Sequence, residues 1–238
     1  MKIVVLGGSG VVGSACVREL RARDAAVAFT YNTAKETAEA LAKETGAHAI
    51  ALDVTKPGAT VDAVTSAATL MSGLTGMVHA IGIASTHSPA TFDDDLMDDE
   101  AGFDRLLAIN VRSAYVAVAR AQSLMTEGGN IVLVGSVDGE KSVPSAPPYA
   151  TTKAALSGMA RALAKSLGPK KIRINVVAPG ILEGGASAVV PERIRVEYLK
   201  HSNAKRFGTS REIAKTIAHL VLENTYVTGK TMLLDGGV

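Results

Sequence analysis

Residues 2–13, near the N-terminus, contain the clearest structural signal in the chain and read Lys2-Ile3-Val4-Val5-Leu6-Gly7-Gly8-Ser9-Gly10-Val11-Val12-Gly13. Its apolar run does not alternate with polar residues, which predicts a β-strand buried on both faces. Gly8, Gly10 and Gly13 follow with G-x-G-x-x-G spacing and open a segment of helical period. Glycines let backbone approach a pyrophosphate, and the amides of a helix N-terminus attract the anion. The turn predicts a dinucleotide site, with a merely tight strand–helix turn as the alternative.

The same alternation of Val/Ile-rich runs and longer helical segments continues along the chain, which is typical of an α/β fold with a parallel sheet. Such sheets bind ligands outside the carboxyl ends of their strands. We predict a doubly wound parallel sheet of about seven strands, with helices on both faces. The predicted strands are Lys2–Leu6, Ala26–Tyr31, Ala47–Leu52, Gly76–Ala80, Asn130–Gly135, Arg173–Ala178 and Thr231–Leu234. The predicted helices are Val11–Arg23, Ala34–Thr45, Val61–Ser72, Glu100–Met125, Pro148–Leu167 and Ser210–Leu222.

Composition agrees with one domain that spans residues 1–238. Of the 238 residues, 47% are apolar, and 25 basic and 23 acidic side chains leave a net charge of +2. The apolar fraction is enough for a sizeable core. The small net charge gives no strong electrostatic attraction to nucleic acid or to a membrane. No stretch approaches the ~20 apolar residues that a membrane span needs. The single cysteine, Cys16, excludes an intramolecular disulfide and fits a cytoplasmic setting. It lies four residues from Val12 and Leu20, which indicates a core position rather than a redox centre.

The end of the second predicted strand bears on the choice of cofactor. An acid there would hold the ribose 2′-hydroxyl of NAD. The chain instead reads Tyr31-Asn32-Thr33-Ala34-Lys35 and has no acid until Glu36. A 2′-phosphate would meet no repulsion, and Asn32, Thr33 or Lys35 are candidates to bind it, which favours NADP(H) and leaves NAD(H) possible. Asp53, after the third strand, is either an acceptor for the adenine amino group or a turn cap.

Two further segments carry candidate catalytic groups. Tyr149 and Lys153 are four residues apart in a predicted helix and therefore lie on one face. A nearby ammonium favours the phenolate and makes the tyrosine a better proton donor or acceptor, as carbonyl reduction requires. Ser136 follows the fifth strand, where its hydroxyl would donate to a substrate carbonyl. An ordinary helix surface and a capping serine are the alternatives.

The order of these features resembles that of the classical short-chain dehydrogenase/reductase family over nearly the whole chain. The chain is similar in particular to the 3-oxoacyl-[acyl-carrier-protein] reductase-like members, and the resemblance implies a single-domain Rossmann fold. The residues that carry it are the glycine turn, Asp53-Val54, Asn110, Ser136, Tyr149-x-x-x-Lys153, Arg173-Ile174-Asn175-Val176-Val177-Ala178-Pro179-Gly180 and Thr228-Gly229-Lys230-Thr231-Met232-Leu233-Leu234-Asp235-Gly236-Gly237.

This resemblance implies a role for each catalytic candidate. Tyr149 would be the general acid/base and Ser136 would polarise the carbonyl. Asn110 would hold a water of a proton relay, and Lys153 would bind the nicotinamide ribose and lower the pKa of Tyr149. The implied cofactor-binding residues are Gly7, Ser9, Gly10, Val12, Gly13, Tyr31, Asn32, Thr33, Lys35, Asp53, Val54, Ala80, Ile81, Gly82, Tyr149, Lys153, Pro179, Gly180 and Leu182.

The implied activity is hydride transfer between NADP(H) and a carbonyl or secondary alcohol, with a small-molecule substrate such as an acyl thioester. A homotetramer or homodimer is the expected assembly, and neither nucleic acid nor membrane is an expected partner. The alternative is an NADP(H)-binding regulatory or scaffold protein with little turnover. A substrate-side segment at about 181–206 is expected to be irregular.

Three places depart from the family pattern, and an acidic run needs separate interpretation. Leu6 and Val11 replace a threonine and a glycine of the first turn, and no basic residue lies near Gly10. His79 stands where the family has asparagine and is interpreted as a structural hydrogen-bonding residue that links strands. The sequence Glu183-Gly184-Gly185 lacks the threonine that is usual at the nicotinamide carboxamide, for which backbone amides are a substitute. The acidic run at 93–100 is interpreted as a solvated loop, and no metal site is predicted.

Overall fold

Seven parallel strands form one sheet in the computed structural model, which describes residues 1–84, 100–184, 187 and 190–238. The order across the sheet is β3-β2-β1-β4-β5-β6-β7, so the chain direction across the sheet reverses between β1 and β4. A crevice opens at such a reversal, outside the carboxyl ends of the strands. The strands are β1 Lys2–Leu6, β2 Ala26–Tyr31, β3 His48–Ala51, β4 Gly76–His79, β5 Gly129–Val134, β6 Ile172–Pro179 and β7 Thr231–Leu234.

Helices cover both faces of the sheet, as predicted. Side chains of α3, α5 and α6 pack on one face in a cluster that includes Val4 and Leu6 of β1. Those of α1, α2 and α8 pack on the other with Ile3 and Val5. In the described part of the chain the helices are α1 Val11–Ala22, α2 Lys35–Thr45, α3 Ala59–Leu70, α4 Glu100–Leu106, α5 Ser113–Leu124, α6 Pro147–Leu167, α7 Glu192–His201 and α8 Ser210–Leu222.

The alternation of side chains along β1 explains these two layers. Ile3, Val4, Val5 and Leu6 are all fully buried, and neighbours point to opposite faces. The unbroken apolar run in the sequence therefore fills both cores at once. Cys16 lies on α1 within the second cluster, fully buried, and burial raises the pKa of its thiol to about 12. This agrees with its interpretation as a core residue.

Two segments differ from the sequence prediction. The helix predicted at Glu100–Met125 is interrupted by a π-helical turn, Leu107–Arg112, which separates α4 from α5. The segment at 181–206, predicted to be irregular, contains the ten-residue helix α7. Pro191 precedes that helix, none of its residues is buried, and five of its ten residues are charged, so its sequence is more polar than that of the predicted helices. Gly185, Ala186, Ala188 and Val189 lie outside the described residues.

No helix within the described ranges is both long and apolar enough to cross a membrane.

Candidate active site

A cavity of about 490 Å³ opens at the carboxyl ends of the central strands, on the side where the chain direction reverses. It lies between the glycine turn after β1, the loop after β5 and the start of α6. The structure thus places in one cavity residues that are distant in sequence. The predicted site residues that line it are Gly10, Val12, Ala80, Gly82, Ser136, Tyr149, Lys153, Pro179, Gly180 and Leu182.

The glycine turn presents the N-terminus of α1 to this cavity. Gly10 is the N-cap residue, no side chain caps the helix, and the first helical bond runs from Ser14 N to Gly10 O. The amides of Val11, Val12 and Gly13 therefore lack helical acceptors and can bind an anion, whereas Gly10 N already donates to Gly7 O at 3.1 Å. A Cβ on Gly10 would meet nothing closer than 3.4 Å, whereas one on Gly13 would lie 2.1 Å from the carbonyl oxygen of Gly7. Gly13 closes the turn, and Gly10 leaves room above it for the phosphates of a dinucleotide.

The predicted 2′-phosphate residues lie after β2, outside the cavity lining. Tyr31 is half-buried, and Asn32, Thr33 and Lys35 are exposed at the start of α2. The ammonium of Lys35 is 3.6 Å from Glu39 Oε1, a loose surface pair. The two acids near this turn, Glu36 and Glu39, lie in α2 and not at the end of β2. Neither occupies the position that binds a ribose 2′-hydroxyl in NAD-specific sites.

Asp53 caps the turn that follows β3. Its Oδ1 accepts hydrogen bonds from Thr55 N at 3.0 Å and Thr55 Oγ1 at 2.6 Å, and these bonds hold the pKa of the carboxyl below its usual value. The neighbouring Val54 is half-buried against the core. The capping interpretation of Asp53 therefore matches its contacts, while its interaction with adenine stays a prediction.

Ser136 begins a 3₁₀ turn, Val137–Gly139, directly after β5 and the linking Gly135. Its hydroxyl donates to Asp138 Oδ2 at 2.9 Å, and its oxygen accepts from Asp138 N at 3.3 Å. The turn packs tightly on α6, since a Cβ on Gly139 would lie 2.4 Å from Ala154 N. This close packing brings Ser136 and Asp138 to the first turns of α6.

Tyr149 and Lys153 lie in the first two turns of α6, which Pro147 and Pro148 open. The Lys153 side chain is buried, and its Nζ donates to Val134 O at 3.1 Å and lies 5.7 Å from the centre of the Tyr149 ring. Burial lowers the pKa of Lys153 to about 8, against the attraction of Asp138.

The pKa of Tyr149 differs from the expectation. Lys153 was expected to lower it, but burial raises it well above the usual value, the charge of Asp138 raises it further, and the Ser136 hydroxyl opposes the rise. The reason is geometric, because the ammonium lies toward the ring and is bonded to a β5 carbonyl. In this structure the tyrosine is therefore a protonated donor.

Asn110 lies in the π-helical turn and is fully buried. Its amide donates to Ile83 O and to Thr152 Oγ1, both at 3.0 Å, and its Oδ1 accepts from Ile83 N at 2.9 Å. The side chain thus ties the segment after β4 to α6. Single π turns are frequent at functional sites, and the turn here accounts for the break in the predicted helix. The water-binding role of Asn110 stays a prediction.

His79 ends β4 and is fully buried. Its Nε2 is 2.8 Å from Ser113 Oγ, so it links a strand to a helix rather than two strands. Because Ser113 donates its own proton to Ile109 O, His79 Nε2 is the donor and Nδ1 is unprotonated. Burial and the charge of Lys153 lower the pKa of His79 to about 3. The ring is a neutral structural group, as predicted, with a different partner.

The segment after β6 closes the far side of the cavity. Gly180 N donates to Leu234 O at 3.0 Å, and a Cβ on Gly180 would lie 2.1 Å from the Tyr198 hydroxyl. That hydroxyl donates to Asp235 O at 2.6 Å. Leu182 is buried and forms a bridge with Gly208. Gly180 is therefore required for packing against α7 as well as for access to the cavity.

The remaining predicted residues lie around the turn rather than in the cavity lining: Gly7, Ser9 and Ile81. A Cβ on Gly7 would lie 2.9 Å from Ala80 C and Ile81 N, so the two loops are in contact. Within the described ranges, no three His, Cys, Asp or Glu side chains are grouped to hold a metal ion. Residues 93–99 of the acidic run lie outside those ranges.

The chain matches the family model described as enoyl-(acyl carrier protein) reductase over residues 9–238. It is 36% identical over 238 residues to the cyclic-di-GMP-binding biofilm dispersal mediator protein of Escherichia coli, covering 98% of this chain and 95% of that protein. It also resembles a short-chain dehydrogenase of Burkholderia cenocepacia solved in complex with NADP, with a TM-score of 0.89, 31% identity, and coverage of 99% of this chain and 96% of that one. The chain belongs to the short-chain dehydrogenase/reductase family.

Relatives within this family include oxidoreductases with named activity. The 3-oxoacyl-[acyl-carrier-protein] reductase MabA of Mycobacterium tuberculosis is 28% identical over 239 residues, covering 99% of this chain and 92% of that protein. The family expected from the sequence and its Rossmann-type architecture are thereby confirmed.

One acidic side chain in the cavity was not identified from the sequence. Asp138 lines the cavity beside Ser136, Tyr149 and Lys153. Burial raises the pKa of its carboxyl, while the Ser136 hydroxyl and the Lys153 ammonium oppose the rise. The only sequence signal is an acid two residues after Ser136, which is also what an ordinary turn cap looks like.

Proposed function

We propose that the protein is an NADP(H)-dependent reductase of ketones that also oxidises the corresponding secondary alcohols. The observation that supports this most strongly is the meeting of Ser136, Tyr149 and Lys153 in one cavity beside the N-terminus of α1. A protein that only bound the nucleotide would not need a half-buried phenol and a buried ammonium next to a hydroxyl donor.

The cofactor would lie along the turn after β1. The free amides of α1 would hold its pyrophosphate, Lys153 its nicotinamide ribose, and Asn32, Thr33 and Lys35 a 2′-phosphate. When bound, the nicotinamide supplies or accepts the hydride. The absence of an acid before Glu36 supports NADP(H) over NAD(H). The NADP complex of the Burkholderia cenocepacia relative supports the same choice.

The catalytic residues would handle the proton. The carbonyl carbon accepts a hydride, and the carbonyl oxygen takes the proton of Tyr149, so that a ketone, a reduced cofactor and one proton give an alcohol and the oxidised cofactor. Ser136 donates to the carbonyl oxygen as negative charge develops there. Lys153 stabilises the phenolate left on Tyr149, which solvent then reprotonates through the buried polar groups around Asn110.

The test is a screen of NADPH and NADH oxidation against acyl thioesters, quinones, sugars and steroids. Replacing Tyr149 by Phe should reduce kcat by about 10²–10⁴-fold, the usual contribution of a general acid. Tyr226→Phe is the matched control, because Tyr226 is 93% exposed. Full ketone reduction by Tyr149→Phe at saturating cofactor would show that the acid has been misassigned.

Cofactor choice has its own test at Lys35. Lys35→Ala should raise the KM for NADPH roughly fivefold, as expected for one exposed charge pair of about 1 kcal/mol, and leave the KM for NADH unchanged. Lys43→Ala removes an exposed lysine from the other end of α2 and should change neither value.

A regulatory function is the second candidate, because a relative 36% identical to this chain is named as a cyclic-di-GMP-binding protein. Titration with cyclic di-GMP, monitored by calorimetry, tests it directly. Two phosphates call for charge-assisted partners, and among the described residues of the cavity lining Lys153 is the one cation. Tight binding of NADPH without oxidation by any ketone would favour this candidate.

We also propose a homotetramer or homodimer in the cytoplasm. Strand β7 is at the edge of the sheet, where Met232 and Leu233 are about 40% exposed, as expected of a surface that a second copy covers. The single buried thiol, Cys16, suits a reducing compartment. Light scattering coupled to size exclusion measures the assembly, and a monomer at micromolar concentration would contradict it.

A further inference from the structure

The carboxylate of Asp138 lines the same cavity as Ser136, Tyr149 and Lys153. Among the described residues that line the cavity it is the only acid, and much of the remaining lining is apolar, including Ile83, Pro144, Ile181, Val190 and Ile194. Burying a carboxylate in such surroundings is costly unless its oxygens find hydrogen-bond donors. Asp138 therefore needs an explanation beyond that of a turn cap.

Only half of this carboxylate is satisfied. Oδ2 accepts the hydroxyl of Ser136 at 2.9 Å, while no hydrogen bond from the described residues reaches Oδ1. An ionised carboxylate accepts several hydrogen bonds, so Oδ1 offers free acceptor positions. The carboxylate thus has the capacity for a further donor, which none of the described residues supplies.

The bond to Ser136 has a second consequence. A serine hydroxyl has one proton, and here that proton is donated to Asp138. Ser136 cannot donate the same proton to a substrate carbonyl at the same time. A substrate that gives Asp138 another donor allows Ser136 to turn toward the carbonyl.

We propose that Asp138 is a specificity residue that selects ketones with a hydroxyl or amino group on a neighbouring carbon, and that this group joins or replaces Ser136 as a donor to the carboxylate. This inference rests on the proposed ketone reductase function. Ser136 Oγ and Asp138 Oδ2 are 2.9 Å apart, so a ketone with a donor on the neighbouring carbon is short enough to contact both groups at once. The apolar lining fits an alkyl remainder.

The same carboxylate acts against anionic substrates. A substrate carboxylate attached to the carbon beside the carbonyl would face Asp138 with like charge, while the cation of Lys153 is bonded to Val134 O. Short 3-oxo acids are therefore expected to be poor substrates of the unmodified protein.

The test compares three small ketones with matched skeletons: 3-hydroxybutan-2-one, butan-2-one and acetoacetate, each with NADPH. A hydrogen bond to a charged group changes an equilibrium by roughly 10- to 100-fold. We expect kcat/KM for the hydroxyketone to exceed that for butan-2-one by this factor, mainly through KM.

Two variants at one position test the cause. Asp138→Val should reduce the hydroxyketone preference to less than about threefold, since no acceptor remains. Asp138→Asn keeps the shape and one neutral acceptor, so it should keep a smaller preference and gain activity on acetoacetate. Asp62→Asn, an exposed acid on α3, should leave all three ratios unchanged.

The outcomes separate the two proposals. Equal reduction of hydroxyketone and plain ketone by the wild-type protein overturns the inference and leaves the reductase function in place, as does a preference that survives Asp138→Val. Reduction of none of the ketones, even in the wider screen, overturns the reductase function and the inference with it. If Asp138→Val does not fold, the gain of Asp138→Asn on acetoacetate still decides the matter, because its absence overturns the inference.

Discussion

Gly13→Ala should destabilise the protein more than any other single methyl group added to the first turn. The new Cβ would lie 2.1 Å from the Gly7 carbonyl oxygen, 2.8 Å from Gly7 C and 2.9 Å from Gly8 Cα. Carbon contacts are optimal at about 3.5 Å or more, so the turn must open by more than ~1 Å. These are backbone atoms, which no rotamer change can relieve.

The magnitude follows from two opposing effects. Overpacking costs about 1–3 kcal/mol, and a backbone clash belongs at the upper end of this range. Replacing glycine by alanine inside α1 regains up to about 1 kcal/mol of helix propensity. The expected net loss is about 2 kcal/mol in the free energy of unfolding, measured by urea denaturation without cofactor and with an unchanged m-value.

Gly10→Ala is the matched control three residues earlier. The backbone of Gly10 has φ −77° and ψ 170°, which alanine also adopts, and the added Cβ meets nothing nearer than 3.4 Å. The free energy of unfolding should change by less than about 0.5 kcal/mol. The methyl projects where the phosphates are expected, so the Kd for NADPH, measured by fluorescence titration, should rise at least about tenfold, or ~1.4 kcal/mol. A stable Gly13→Ala, or a Gly10→Ala with unchanged Kd, would refute the reasoning about this turn.

Three further predictions concern the rest of the molecule. The kcat/KM for ketone reduction should fall as pH rises through about 8, where Lys153 loses its proton. In Asp138→Asn this fall should occur at lower pH, because the carboxylate of Asp138 raises the pKa of the Lys153 ammonium. Glu212→Gln should remove about 0.5–1 kcal/mol of stability at neutral pH, discounted for exposure, because the charge that pairs with Arg206 is lost while glutamine still completes the capping box with Thr209. Its folded pKa of about 2 lies below the unfolded value of about 4.3, so the deficit in the thermal midpoint should disappear as pH falls from 5 toward about 2. Leu156→Ala should cost about 2–5 kcal/mol in urea denaturation, since the side chain is fully buried on α6.

Each of these has a result that would contradict it. A rate profile that stays flat above pH 9 would show that Lys153 does not limit reduction. A Glu212→Gln deficit that persists below pH 3 would mean that the charge is not its source. For Leu156→Ala the comparison is Leu70→Ala, which is 51% exposed and should change stability by less than about 0.5 kcal/mol.

The sheet was predictable because its strands carry their own signal. Apolar runs such as residues 131–134 are buried on both faces and identify central parallel strands without any tertiary information. Helix α7 was not predictable in this way, because it contributes no buried residue to the core and half of its residues are charged. The π-helical turn at 107–112 was also missed, since Asn110 is held there by bonds to Ile83 and Thr152, which are distant in sequence.

The candidate site also has some features that are local in sequence and others that depend on packing. The residue types and spacings of the glycine turn and of Tyr149 and Lys153 are local, so the sequence contains them. The protonation of those groups is not local. It depends on how deeply α6 is buried and on Asp138, which the close contact of Gly139 with Ala154 brings near. A pattern of residues indicates which groups are present, and only packing determines which of them hold protons.

The protonation states of Tyr149 and Lys153 determine how the rates of ketone reduction and alcohol oxidation depend on pH. Burial and the charge of Asp138 both favour the neutral phenol of Tyr149, and the pKa of about 8 keeps most of Lys153 as ammonium at pH 7. Reduction starts from this state, because the carbonyl oxygen takes its proton from the phenol. Oxidation starts from the phenolate, which the same burial and the same carboxylate make scarce near neutral pH. A substrate donor that hydrogen-bonds to Asp138 would weaken the influence of this carboxylate on Tyr149, and the pKa of the phenol would then be raised less. The selectivity proposed for Asp138 and the acidity of Tyr149 are therefore two consequences of one carboxylate.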